Sequence, residues 1–141
     1  MTAQPGTHAL VLACHQTGSV RIGQLGTLEL QPGFYVYVGS AHGPGGVAAR
    51  IEHHRRIATR THWHMDYLRP ACDLIGVWFS TDTASHEHAW ADAVARLPGA
   101  TVPMPGFGAS DCACDTHLFW FTQPPPVREF RQRVKTKVNV Q

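Results

Sequence analysis

The nine residues Gly33-Phe34-Tyr35-Val36-Tyr37-Val38-Gly39-Ser40-Ala41 constrain this chain more than any other stretch. Successive side chains of a strand point to opposite faces. Read as a strand, the segment puts Phe34, Val36 and Val38 on one face and Tyr35, Tyr37 and Gly39 on the other. One face is core; the other carries phenols. Gly39 and the run Gly43-Pro44-Gly45-Gly46 then break the strand and allow backbone to come close to a ligand, before a polar segment holding Arg50 and His54 begins. That arrangement suits a phosphate.

The remaining pattern alternates short strands and helices. Residues 7–14 read as an apolar strand and residues 15–18 as a turn. Residues 20–22 and 28–30 read as a second strand broken around Gly23 and Gly26. A helix is expected over 47–56, with Val47, Ile51 and Ala58 on its inner side and Arg50 and His54 beside them at the i, i+4 spacing that lets side chains meet. Residues 62–68 read as a short helix stopped by Pro70, 74–79 as a buried strand, 85–97 as a helix ended by Pro98-Gly99, and 116–121 as a last strand. A domain over 1–122 is therefore expected, followed by a Pro-rich linker and basic tail over 123–141 that carries Arg128, Arg131, Arg133, Lys135 and Lys137 against Glu129. Such a tail is usually solvated, and on a nucleic-acid enzyme it adds salt-sensitive phosphate contacts.

Composition excludes several classes. With 43% hydrophobic and 16% charged residues the chain is not a disordered polyelectrolyte, and 141 residues suffice for one core without staples. There is no apolar run of about 18 residues and no basic-then-apolar start, so a cytosolic protein without a membrane partner is expected. The four cysteines then read as reduced thiols. A net charge of only +2 means that any nucleic-acid affinity must come from local clustering.

Three ordered blocks carry a family resemblance. They are Tyr35-Val36-Tyr37-Val38-Gly39-Ser40-Ala41, His62-Trp63-His64-Met65-Asp66-Tyr67-Leu68, and Gly106-Phe107-Gly108-Ala109-Ser110-Asp111-Cys112-x-Cys114-x-x-His117-Leu118-Phe119. Together with Arg50 and His54 after Tyr37-Val38-Gly39, they resemble the small Uri-type branch of the GIY-YIG nuclease superfamily over roughly residues 6 to 122. The resemblance implies an α/β (α+β) domain with a mainly antiparallel, three-stranded central sheet flanked by helices, plus a C-terminal extra strand. It implies a nucleic-acid endonuclease, with DNA as the expected partner, that hydrolyses phosphodiesters with magnesium or manganese. Arg50 would grip the scissile phosphate with its planar fork. Tyr37 takes the place of the second-motif tyrosine, acting as base only where nearby positive charge lowers its phenol, and Arg50 is that charge. Glu87 matches the metal-binding glutamate, with His54 assisting charge or proton handling. Tyr35 is a second hydroxyl on the same face, Gly39 and Ser40 complete the strand block, and His64 belongs to a block that lines the substrate groove.

The first half of the signature departs from the family: Gly6-Thr7-His8 puts a histidine where a tyrosine is usual. An imidazole is a competent general base near neutral pH, so His8 is an alternative to Tyr37. The same replacement also fits a non-catalytic nucleic-acid-binding or DNA-repair accessory module with the same fold. Cys112, Cys114 and His117 form Cys-x-Cys-x-x-His, and strand alternation puts both cysteines on one side, near enough to share zinc with His64 or His62 as fourth ligand. The usual zinc spacing is Cys-x-x-Cys, so buried thiols and a packed histidine are preferred, with a zinc-stabilised interaction domain as the weaker alternative.

Overall fold

A computed structural model of the protein describes residues 3–109 and 114–141. Gly6–Cys14 (β1) is buried along its whole length, which is why it reads as an almost continuous apolar run. It is the central strand of a five-stranded antiparallel sheet. The neighbours in order are Leu118–Phe121 (β6), Gly33–Ala41 (β4), β1, Asp73–Ser80 (β5) and Asn139–Val140 (β7). Gly18–Ile22 (β2) and Gly26–Leu30 (β3) form a separate two-stranded hairpin. The expected three-stranded sheet is thus corrected to five strands, and the broken second strand becomes a hairpin packed on the sheet rather than part of it.

The alternation expected for β4 is observed, and it divides the molecule into layers. Tyr35 and Tyr37 join Leu10 and Leu12 of β1 in a core closed by the hairpin and two helices, Gly46–Arg55 (α1) and His64–Leu68 (α2). Val36 and Val38 join Ala9 and Val11 on the opposite face, under Glu87–Ala95 (α3) and Val127–Arg133 (α4). Within α1, Val47, Ile51 and His54 face inward, whereas Ala58 lies past the helix end at Arg55. In β5, Val11 pairs with Gly76 and Leu12 with Leu74; Ile75 is the extra residue of a bulge, which explains a large apolar side chain left 54% exposed.

The segment expected to be linker and mobile basic tail folds back onto the domain. Phe130 of α4 is fully buried, with its ring centroid 4.8 Å from that of Trp78 and 5.0 Å from that of Trp90. Trp90 donates its indole N–H to the Thr136 hydroxyl at 2.8 Å. β7 then pairs with β5, and the backbones of Gln141 and Val77 exchange two hydrogen bonds. Arg and Lys side chains cover the outside of a segment whose Val127, Phe130, Val134 and Val138 face the core.

Candidate active site

β6 covers the edge of β4 along Phe34–Tyr37, and the Val38 amide still donates to the His117 carbonyl at 2.9 Å. Past Val38 no described strand pairs with the outer rim of β4, which is left to other elements. There α1 approaches from one layer and α3 from the other. A cavity of ≈ 350 Å³ lies between them, lined by Tyr37, Ser40, Arg50, Trp63 and Glu87, with His88, Gly108 and His117 completing the wall. Three residues expected to act together, Tyr37, Arg50 and Glu87, are brought together here from β4, α1 and α3.

Arg50 is held from two sides. Its Nη1 donates to the Ser40 carbonyl at 2.8 Å, and its guanidinium carbon lies 4.1 Å from the centroid of the Trp63 ring. A planar cation over an indole face is electrostatically favourable. Burial lowers the Arg50 pKa, and the neighbouring Tyr37, Glu87 and Asp66 work against that shift, so the group remains a cation at neutral pH. The glycine-rich loop before α1 has a different role from the expected phosphate cradle. The amides of Gly46, Val47 and Ala49 donate to the carbonyls of Gly43, Gln4 and Gly45, and a Cβ on Gly46 would run into the Ala3 and Gln4 carbonyl oxygens. Those amides serve the fold, and the cation lining the cavity is the Arg50 guanidinium.

Burial pushes the Tyr37 phenol well above its ordinary value; the Glu87 carboxylate adds to the rise, and Arg50 opposes it. Tyr37 therefore keeps its proton and is a hydrogen-bond donor. His8 and His54 pack around it, with ring centroids 6.1 and 6.0 Å away, and their own rings are 5.8 Å apart. Both are sealed in the core, and neither ring has a hydrogen-bond partner among the described residues. His8 fits because Gly39, its partner across the sheet, has no side chain: a Cβ there would lie 2.7 Å from His8 Cε1. Gly39→Ala is accordingly expected to cost about 1 to 3 kcal/mol of stability through overpacking. Urea melts test this, and a loss below about 0.5 kcal/mol would show that the ring moves aside freely.

Burial, with help from Arg50, holds the His8 imidazole down at about 3; burial, with help from His8, holds His54 at about 2. Both stay neutral in the folded protein while the unfolded chain protonates them near about 6.5. Between those limits the unfolded state binds more protons, so stability falls as pH falls from about 6.5 toward about 3. At about pH 5.5 the two histidines together are expected to remove roughly 2 to 3 kcal/mol relative to neutral pH. Denaturant melts of wild type and His54→Gln measure this. The variant should show a shallower pH dependence, and an identical slope would exclude His54 as a source.

The other expected residues lie elsewhere. The Tyr35 hydroxyl accepts the Gln31 amide at 3.2 Å and borders a separate cleft with Trp120, so it does not share the Arg50 cavity. His64 Nδ1 accepts the Gly108 amide at 2.7 Å and packs on Phe107, supporting the cavity wall from behind. Gly108 has φ +69, and a Cβ on it would come within 2.7 Å of the Tyr37 ring. Asp66 pairs with the His62 and Trp63 amides and with His53 rather than with the His62 ring. Burial pushes the Asp66 carboxyl up, but these donors together hold it below its usual value. Cys112 lies outside the described residues. Cys114 and His117 meet His88, and neither His62 nor His64 joins them. Trp63 and His88 were not singled out as site residues, although Trp63 stands in the central block and His88 directly follows Glu87.

The family described as Domain of unknown function DUF123 matches residues 7–139. The chain belongs to that family. No curated protein and no solved structure matches it. The match runs from within β1 into β7, so the DUF123 domain takes in α4 and the last strand along with the cavity. Among the described residues of this DUF123 domain, no helix is long and apolar enough to cross a membrane.

Proposed function

We propose that this DUF123 protein is a divalent-metal-dependent endonuclease of the GIY-YIG kind, acting on nucleic acid, with DNA as the expected substrate. The observation that supports it is the meeting of Tyr37, Arg50 and Glu87 in one polar cavity at an open sheet rim. Phosphodiester hydrolysis needs an attacking water and fixed positive charge where the phosphorane's charge develops. Arg50, already aimed by Ser40 and Trp63, binds the scissile phosphate. Tyr37, with its proton in place, donates to a phosphate oxygen and orients the water. As the new P–O bond forms, the bond to the leaving oxygen breaks; the water's proton passes to solvent at the cavity mouth, and the leaving oxygen takes a proton from the same solvent. His8 and His54 remain neutral and fix the Tyr37 ring rather than touching substrate. Glu87, 21% exposed and facing a polar cavity, is a donor suited to magnesium or manganese, which is held by one or two carboxylates and otherwise keeps its waters and substrate oxygens. When bound, that ion supplies charge stabilisation at the phosphate.

A second reading is favoured by one observation: His8, at the place of a usual catalytic tyrosine, is sealed from solvent. On that reading the protein binds nucleic acid through Arg50 without turnover, as a repair accessory module. Single-stranded, duplex and flap substrates of DNA and RNA, incubated with magnesium or manganese, separate the two. On the nuclease reading Glu87→Ala lowers cleavage by about tenfold or more and raises the magnesium concentration needed. Binding without metal-dependent cutting, across the whole panel, favours the accessory module.

A further inference from the structure

His88, near the start of α3, meets Cys114 and His117, which lie 26 and 29 residues further along the chain, just before β6. His88 Nδ1 is 3.0 Å from Cys114 Sγ, and the His88 and His117 rings are 6.0 Å apart and nearly perpendicular. One ligand atom from each of the three residues falls within 4.8 Å of the other two. Around tetrahedral zinc, with bonds of about 2.0 to 2.3 Å, ligand atoms sit roughly 3.3 to 3.8 Å apart, so small side-chain rotations complete the geometry.

We propose that His88, Cys114 and His117 form a zinc-class metal site that ties the segment before β6 to α3. A thiolate with two imidazoles is a borderline-soft donor set, matched to zinc rather than to magnesium or calcium. The His117 ring is buried, and Glu87 Oε1 lies 3.7 Å from its Nδ1, so a carboxylate stands beside the ring without hydrogen-bonding it. Three protein ligands leave the fourth position to water or another donor. The site adjoins the Arg50 cavity without being part of the hydrolytic step. Its contribution is to hold the wall that carries Gly108 against Tyr37.

Metal analysis of the 141-residue protein purified without added metal tests this. One zinc per chain is expected to survive dialysis, and cobalt substitution should give thiolate-to-metal absorption together with intense visible bands of tetrahedral cobalt. Cys114→Ser should abolish the charge-transfer band, and His88→Ala should weaken zinc binding by about tenfold to 100-fold, with circular dichroism unchanged. Removing zinc from wild type should also make the Cys114 thiol react faster with iodoacetamide. Substoichiometric zinc that dialyses away, or full zinc retention in both variants, would overturn the site. So would equal alkylation rates with and without metal, which would make Cys114 and His88 a simple hydrogen-bonded pair. Arg50→Ala keeps the two claims apart: zinc retained with no cleavage by wild type refutes the nuclease reading alone. Magnesium-dependent cleavage that Arg50→Ala abolishes, in protein that binds no zinc, refutes the metal site alone.

Discussion

Arg50→Ala is expected to lower single-turnover cleavage by about 100- to 1000-fold, the usual loss when one fixed donor to a developing oxyanion is removed. The effect should be large because the guanidinium is already positioned, by the Ser40 carbonyl on one side and the Trp63 face on the other. Arg50→Lys should recover little, since an ammonium cannot bond the Ser40 carbonyl and still present a bidentate fork to phosphate. Trp63→Leu, which removes the stacking surface but leaves the charge, should fall between the two. The test reads rate at saturating nucleic acid beside binding affinity. An Arg50→Ala rate within about threefold of wild type would place the chemistry elsewhere.

The second large effect is on folding. Ending the chain after Thr122 removes Phe130, the Thr136 partner of Trp90, and β7, leaving Trp78 and Trp90 without their cover. That truncation is expected to abolish cooperative unfolding. The milder Phe130→Ala should cost about 3 to 5 kcal/mol, the range for removing a buried aromatic ring, and lower the melting temperature by about 10 to 20 °C. Calorimetry of both proteins decides the matter. A truncated chain that melts as wild type does would mean that residues 123–141 are dispensable.

The reason this segment reads as a tail is instructive. Five basic residues dominate its composition, and Pro124-Pro125-Pro126 looks like a linker. The signal lies beneath the charge: Val127, Phe130 and Val134 recur at a helical i, i+3, i+7 spacing, and this is the face that packs on α3 and the sheet. By contrast, β1 and β4 were legible because their patterns are strong, one apolar throughout and the other strictly alternating. The Arg50 cavity was legible in its members, since Tyr37 and Arg50 are close in sequence and Glu87 opens a clearly amphipathic helix. What sequence could not supply was depth. His8 and Tyr37 share a sheet face, yet the imidazole is walled in behind the phenol, a depth that no spacing pattern carries. Nor could any spacing rule connect His88 with Cys114 and His117, because they are joined only by the docking of α3 beside β6.

Arg50 and Glu87 hang from opposite sides of the sheet and meet only around the free margin of β4. The distance between cation and carboxylate is consequently set by two separate packing interfaces, one beneath each helix. Loosening either interface moves one jaw of the site and leaves the other in place. Substitutions far from the cavity, at Ile51 on one side or Val94 on the other, can thus degrade alignment while the chain still folds, and on the nuclease reading cleavage should fail on warming before global melting.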